Sequence, residues 1–205
     1  MPTIDDDALA EFIAGAIATL HAQSRAGLSR AKAALSALRG AAGKTMIDAP
    51  EAWDHTLEGM PEHLLGDGDE PSRAEEAAYT ALTLYAVHQQ SRPDSVNARG
   101  VSLGAAARKL ALVTGTSRQN PEPPRRFTSI VTAESRDTLN HHLRGLIQQL
   151  RAHDIGLDYA MLAVDLARLG DDRRHNLDAR LRWTRDFHSP ASAAKKSRTA
   201  RTKTN

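Results

Sequence analysis

Residues 135–152 read SRDTLNHHLRGLIQQLRA, and this stretch decides the fold class. Leu139, Leu143, Leu146, Ile147 and Leu150 recur at steps of three and four, the period that lines up side chains along one stripe of an α-helix. The spacing predicts a helix from about Ser135 to Ala152, the longest of the chain. Working outward, Pro121, Pro123 and Pro124 lead into a short helix from Arg125 to Val131, and Ser102 is placed to cap a helix carrying Leu103, Ala107 and Leu110. Downstream, Tyr159, Leu162, Ala163, Leu166 and Leu169 mark a further helix that should end at Gly170. The last helix should span about Asp172 to Phe187, with Trp183 and Phe187 in the core.

The N-terminal half follows the same logic. Ser72 and Glu75 have capping-box spacing and open a helix to about Gln90. Leu28, Ala31, Leu35 and Leu38 predict an inward stripe on a helix from about Ser29 to Arg39, stopped by Gly40. Leu9, Phe12, Ile13, Ala16, Ile17 and Leu20 define a first helix, with Asp5 to Asp7 at the positive end of its dipole. Between Ala49 and Pro71 three prolines allow only short helical turns around Trp53 and Leu64. No run alternates with strand period. The expectation is an all-α protein of about eight or nine helices. It should form two small bundles, residues 1–92 and 93–188, joined near Ser91 to Gly100, with a disordered basic tail over 189–205.

Composition agrees. Of 205 residues, 40% are hydrophobic but only 4% aromatic, so alanine and leucine must supply the packing, and both are strong helix formers. There is no cysteine, which excludes disulfides and thiolate metal sites. No apolar run approaches a membrane span, and the acidic N-terminus lacks signal-peptide order, so a cytoplasmic protein is expected. The net charge of +2 is unevenly spread. Arg25, Arg30, Lys32, Arg39 and Lys44 occupy an acid-free stretch, and so do Lys195, Lys196, Arg198, Arg201 and Lys203. Acids gather at Asp5 to Asp7 and from Glu58 to Glu76. Separated blocks of one sign suit a surface that meets a polyanion.

Chemistry-bearing motifs fail on inspection. Gly43-Lys44-Thr45 has Leu38 where a P-loop needs its first glycine, and a helix where it needs a strand. Asp67-Gly68-Asp69 lacks the later ligands of a calcium loop. Asp137 and His141 share a helix face, but no third ligand converges on them. No serine sits in a nucleophile elbow. No catalytic residue, metal or cofactor is expected. Arg125-Arg126-Phe127 is more informative. Adjacent arginines at a helix start cannot both point inward, and a planar guanidinium matches phosphate bidentately. Arg144 and Arg151, seven apart, share one face of their helix.

Several short islands, in this order, carry a family resemblance: Leu38-Arg39, Ala81 through Gln90, Ser102-Leu103-Gly104, Arg125-Arg126-Phe127, Leu143-Arg144, and Trp183 through Phe187. From about residue 20 to 188 the chain resembles CasB, the small subunit of Cascade, the type I-E CRISPR surveillance complex. The resemblance implies an all-helical, non-catalytic subunit with N- and C-terminal bundles. It implies contacts to the backbone and large subunits, to a second copy of itself head-to-tail, and to crRNA and the target and displaced DNA strands, stabilising the R-loop. Two positions depart from the family pattern: Ala105 and Gly40 stand where arginines are common, and Arg108 and Lys109 follow a turn after the first. The candidate nucleic-acid contacts are Arg39, Lys44, Arg99, Arg108, Lys109, Arg125, Arg126, Arg144 and Arg151. Two other readings stay open, a purely structural adaptor and a metal-dependent nuclease that uses the histidines.

Overall fold

The structure, a computed structural model, describes residues 4–115, 121–169 and 173–189. Among them are nine α-helices: α1 (Asp6–Arg25), α2 (Ser29–Ala41), α3 (Trp53–Leu57), α4 (Arg73–Gln89), α5 (Leu103–Thr114), α6 (Arg125–Val131), α7 (Arg136–Ala152), α8 (Tyr159–Arg168) and α9 (Arg173–His188). Two single 3-10 turns, Pro50–Ala52 and Glu62–Leu64, fill the proline-rich segment. No strand occurs among the described residues; one isolated bridge joins Asn97 and Leu157. The chain is all-α, as its periodicity predicts.

The caps act where the sequence puts them. Ser72 Oγ accepts from Glu75 N at 3.1 Å, while the Glu75 carboxylate accepts from Ser72 N, closing the capping box. Ser102, Ser135 and Asp158 cap α5, α7 and α8 through side-chain oxygens. Three expectations need correction. Gly40 does not stop α2, which runs on to Ala41, because the left-handed turn that ends it falls at Gly43, φ +87°, and Gly40 keeps a helical backbone. Leu28 is not inward: it precedes α2 in an extended N-cap conformation and is 39% exposed. The longest described helix is α1, with 20 residues, against 17 in α7. The expected stop at Gly170 and the tail beyond Ser189 lie outside the described residues.

α4 organises the core. From Ala81 to Gln89 every side chain is buried, so this half of the helix has no solvent face. Alanines at 74, 77, 78, 81 and 86 let α1, α2, α3, α7 and α8 pack around it at close range. The expected boundary after residue 92 falls in the connector from α4 to α5. Helices from both sides of it share packing: α4 meets α7 and α8, and α1 meets α8. One cluster of buried side chains runs from Leu9 through Phe187. The connector is hydrogen-bonded throughout. Gln89 Nε2 donates to the carbonyls of Arg92 and Asp94, Ala98 N donates to Leu157 O, and Gly100 N donates to the Asp158 carboxylate.

The family islands of the second half are largely packing devices. Gly104 in α5 lies against the backbone of α9, where an added Cβ would overlap the Trp183 carbonyl and stand 3.0 Å from Phe187 N. Trp183 and Phe187 are fully buried, and the Phe127 ring stacks on Phe187 with centroids 5.3 Å apart. Three islands therefore meet in one place, where α6 and α5 clamp α9.

Candidate nucleic-acid interface

The basic residues divide according to how their neighbours hold them. α7 carries its polar face outward because Leu139, Leu143, Leu146, Ile147 and Leu150 are all buried on the other side. Arg144 stands on this outer face and is exposed, yet its Nη1 donates to Ala42 O at 2.6 Å. This bond ties α7 to the loop after α2. Gly43, the next residue, has φ +87°, and a side chain there would press on the Arg144 guanidinium, with Cβ 3.0 Å from Nη1. Glycine serves twice here, for the left-handed backbone and for the close approach. Lys44 follows at once, exposed, with a loose ion pair to Glu51 at 3.6 Å.

The second seam is Gly145. It is buried in mid-helix, and an added Cβ would overlap the guanidinium of Arg126, which reaches across from α6. Arg126 is half-buried and its neighbour Arg125 is exposed at the start of α6. Two glycines link Arg126, Arg144 and Lys44 in one string: Arg126 lies on Gly145, next in sequence to Arg144, and Arg144 lies on Gly43, next in sequence to Lys44.

The other expected residues stand outside this string. Arg151 lies two turns along α7, half-buried, with Nε donating to Gln90 O at 3.2 Å, so it fastens α7 to the connector. Arg108 donates from Nη1 to Phe187 O at 3.0 Å and so closes the last turn of α9, where a cation also suits the negative end of the helix dipole. Lys109 is exposed on α5 and Arg99 on the connector. Arg39 is half-buried in the last turn of α2.

The loop that carries Lys44 is rigidly braced. Tyr79 Oη lies 3.1 Å from Ala41 O and 3.2 Å from Thr45 O, and Trp53 Nε1 donates to Met46 O at 2.6 Å. Burial, with the nearby carboxylates Glu51 and Asp48, pushes the Tyr79 phenol up to about 12, so it remains a hydrogen-bond donor at neutral pH. Between this loop, α4 and α7 opens a cleft of about 330 Å³. Under the same helices, His88 is buried with Nδ1 2.9 Å from Tyr159 Oη. Burial pushes its imidazole down to about 4, and the charges of Arg92 and Arg151 add to the shift.

Sequence reasoning singled out the cations but missed what seats them: Gly43, Gly145 and the brace of Tyr79 on the Lys44 loop. A signal existed for one. A glycine in the middle of a strongly patterned helix costs about 1 kcal/mol against alanine, and such a residue often marks a close approach. Among the described residues, no group of three or more His, Asp or Glu side chains is placed to hold a metal ion. No helix among them is long and apolar enough to cross a membrane.

Comparison with known proteins places this geometry in a family. The sequence profile described as "CRISPR-associated protein Cse2" matches residues 34–188. The crystal structure of CasB from Thermobifida fusca is similar, with 30% identity and a TM-score of 0.73, covering 89% of this chain and 98% of that one. A CRISPR-associated protein of the Cse2 family from Thermus thermophilus has 25% identity and a TM-score of 0.62, covering 87% and 97% respectively. No protein with a curated description matches in sequence.

Proposed function

This chain belongs to the CRISPR-associated Cse2 family, and on that premise we propose that it is a non-catalytic small subunit of a type I-E Cascade complex. It holds nucleic-acid backbone and so helps to stabilise the R-loop between crRNA and target DNA in antiviral defence. Its partners are the backbone and large subunits, a second copy of itself, and the crRNA, target and displaced strands. The observation that carries the reading is the set Arg126, Arg144 and Lys44, in which one glycine seats the guanidinium of Arg126 and another that of Arg144. Fixed cations suit a protein that positions strands while base pairing supplies sequence. The exchange of duplex for heteroduplex is nearly balanced, so a few backbone contacts tip it.

The test is binding of a single-stranded oligonucleotide across a salt series. Each phosphate neutralised contributes a log–log slope of about −0.7, so changing Arg126 and Arg144 together to alanine should make the slope shallower by about 1.4. Scrambling the oligonucleotide should change nothing. A slope unaltered by the double change removes these arginines from the interface. Binding that is indifferent to salt, alongside normal assembly with other subunits, favours the adaptor reading.

A finer test uses Gly145→Ala. The new methyl group collides with the movable guanidinium of Arg126 and not with backbone, so the fold tolerates it. Affinity should nevertheless fall about fivefold, the loss of one contact worth about 1 kcal/mol. Melting temperature should hold or rise, since alanine is the better helix former. Unchanged affinity would show that the seat of Arg126 does not matter.

A further inference from the structure

The cleft beside Lys44 and Arg144 is larger than a phosphate contact needs. We propose that it receives one unpaired nucleotide of the bound strand, with its phosphate on Lys44 and Arg144 and its base edge on Asp137 and Asn140. This inference rests on the nucleic-acid reading above. The cleft volume, about 330 Å³, falls at the small end of ligand pockets. Asp137, Asn140, His141 and Arg144 all line it. They stand at i, i+3, i+4 and i+7 of α7, which puts them on one face. From 137 to 144 the helix rises about 10 Å, the reach of a nucleotide from its phosphate to its base edge.

Polarity gives the direction. The loop end is cationic: Arg144 is oriented by Ala42 O, and the loose, exposed pair of Lys44 with Glu51 is readily exchanged for a phosphate. At the other end, Arg136 neutralises Glu76 at 2.8 Å. The residues Thr80, Arg136 and Asn140 also separate the cleft from a smaller hollow of about 70 Å³ beyond. Asp137 is left there as an exposed carboxylate. A carboxylate repels phosphate but accepts from the exocyclic amine of cytosine or adenine. A bare anion would not be drawn to that end, and a duplex could deliver a base only by unstacking it. An unpaired nucleotide satisfies both ends at once.

The probes are deoxycytidine monophosphate, thymidine monophosphate and inorganic phosphate, titrated into the full chain and followed by amide chemical shifts. The cytidine nucleotide should shift residues 43–46 and 137–144 and bind about fivefold more tightly than thymidine monophosphate, the worth of one hydrogen bond. Asp137→Asn should erase that preference. Asn140→Ala should weaken both nucleotides without altering helical content. Equal affinity for inorganic phosphate and the cytidine nucleotide, or shifts confined elsewhere, overturns the proposal. Salt-dependent oligonucleotide binding is measured alongside. If it persists while the cleft stays silent, the pocket is wrong and the backbone-binding reading stands. If the oligonucleotide does not bind either, that reading falls and the pocket falls with it.

Discussion

Replacing Gly104 with valine is expected to cost this protein more than about 3 kcal/mol of stability, beyond the usual range for overpacking in a core. Gly104 is buried where α5 crosses α9, and its missing Cβ leaves room for backbone: the Trp183 carbonyl and the Phe187 amide. Backbone cannot rotate away as a side chain can, so relief requires the two helices to move apart. Separation would strip contacts from Trp183 and Phe187, both fully buried, and break the stacking of Phe127 on Phe187. Gly40→Ala is the matched control. Gly40 lies within α2 and an added Cβ meets nothing within 4 Å, so that change should stabilise by up to about 1 kcal/mol. Denaturant midpoints measure both, and equal midpoints would refute the account of the α5–α9 crossing.

Asp165→Ala should be nearly as damaging. Asp165 is buried on α8, accepts from Trp183 Nε1 at 2.5 Å and pairs with Arg182, so it fastens α8 to α9. Burial pushes its carboxyl up and Arg182, Trp183 and Arg168 pull it back, for a net value of about 6, so it is mostly ionised at pH 7. Alanine would strand the buried indole N–H without an acceptor, at about 1–3 kcal/mol, and leave the half-exposed Arg182 charge unpaired. A loss of about 3 kcal/mol is expected in denaturant unfolding at pH 7. Asp165→Asn keeps an oxygen for Trp183 and should recover part of it. If alanine and asparagine lose the same amount, the hydrogen bond to Trp183 contributes nothing and the charge is the whole effect.

Both residues show the limit of reading the chain alone. The helix count, the caps at Ser72 and Ser102, and the buried stripe of α7 were all legible, because each depends on residues within a turn or two of each other. The family islands were legible too, and the matching family profile places the chain among Cse2 proteins. Their reasons were not. Ser102 read as a cap and Trp183 and Phe187 as core, yet nothing local showed that Gly104 makes room for the crossing with α9 or that Arg108 closes that helix. Asp165 drew no attention in the sequence, since a lone acid on an apolar helix looks like a solvent residue until its partners arrive from α9. Arg126, Arg144 and Lys44 were each expected at an interface, but nothing local says how they are seated. That depends on Gly145 and Gly43, whose lack of a side chain matters only once another helix lies across it. Local chemistry sets periodicity and caps; close approach between distant segments is decided by how the helices cross, and only the tertiary structure decides that.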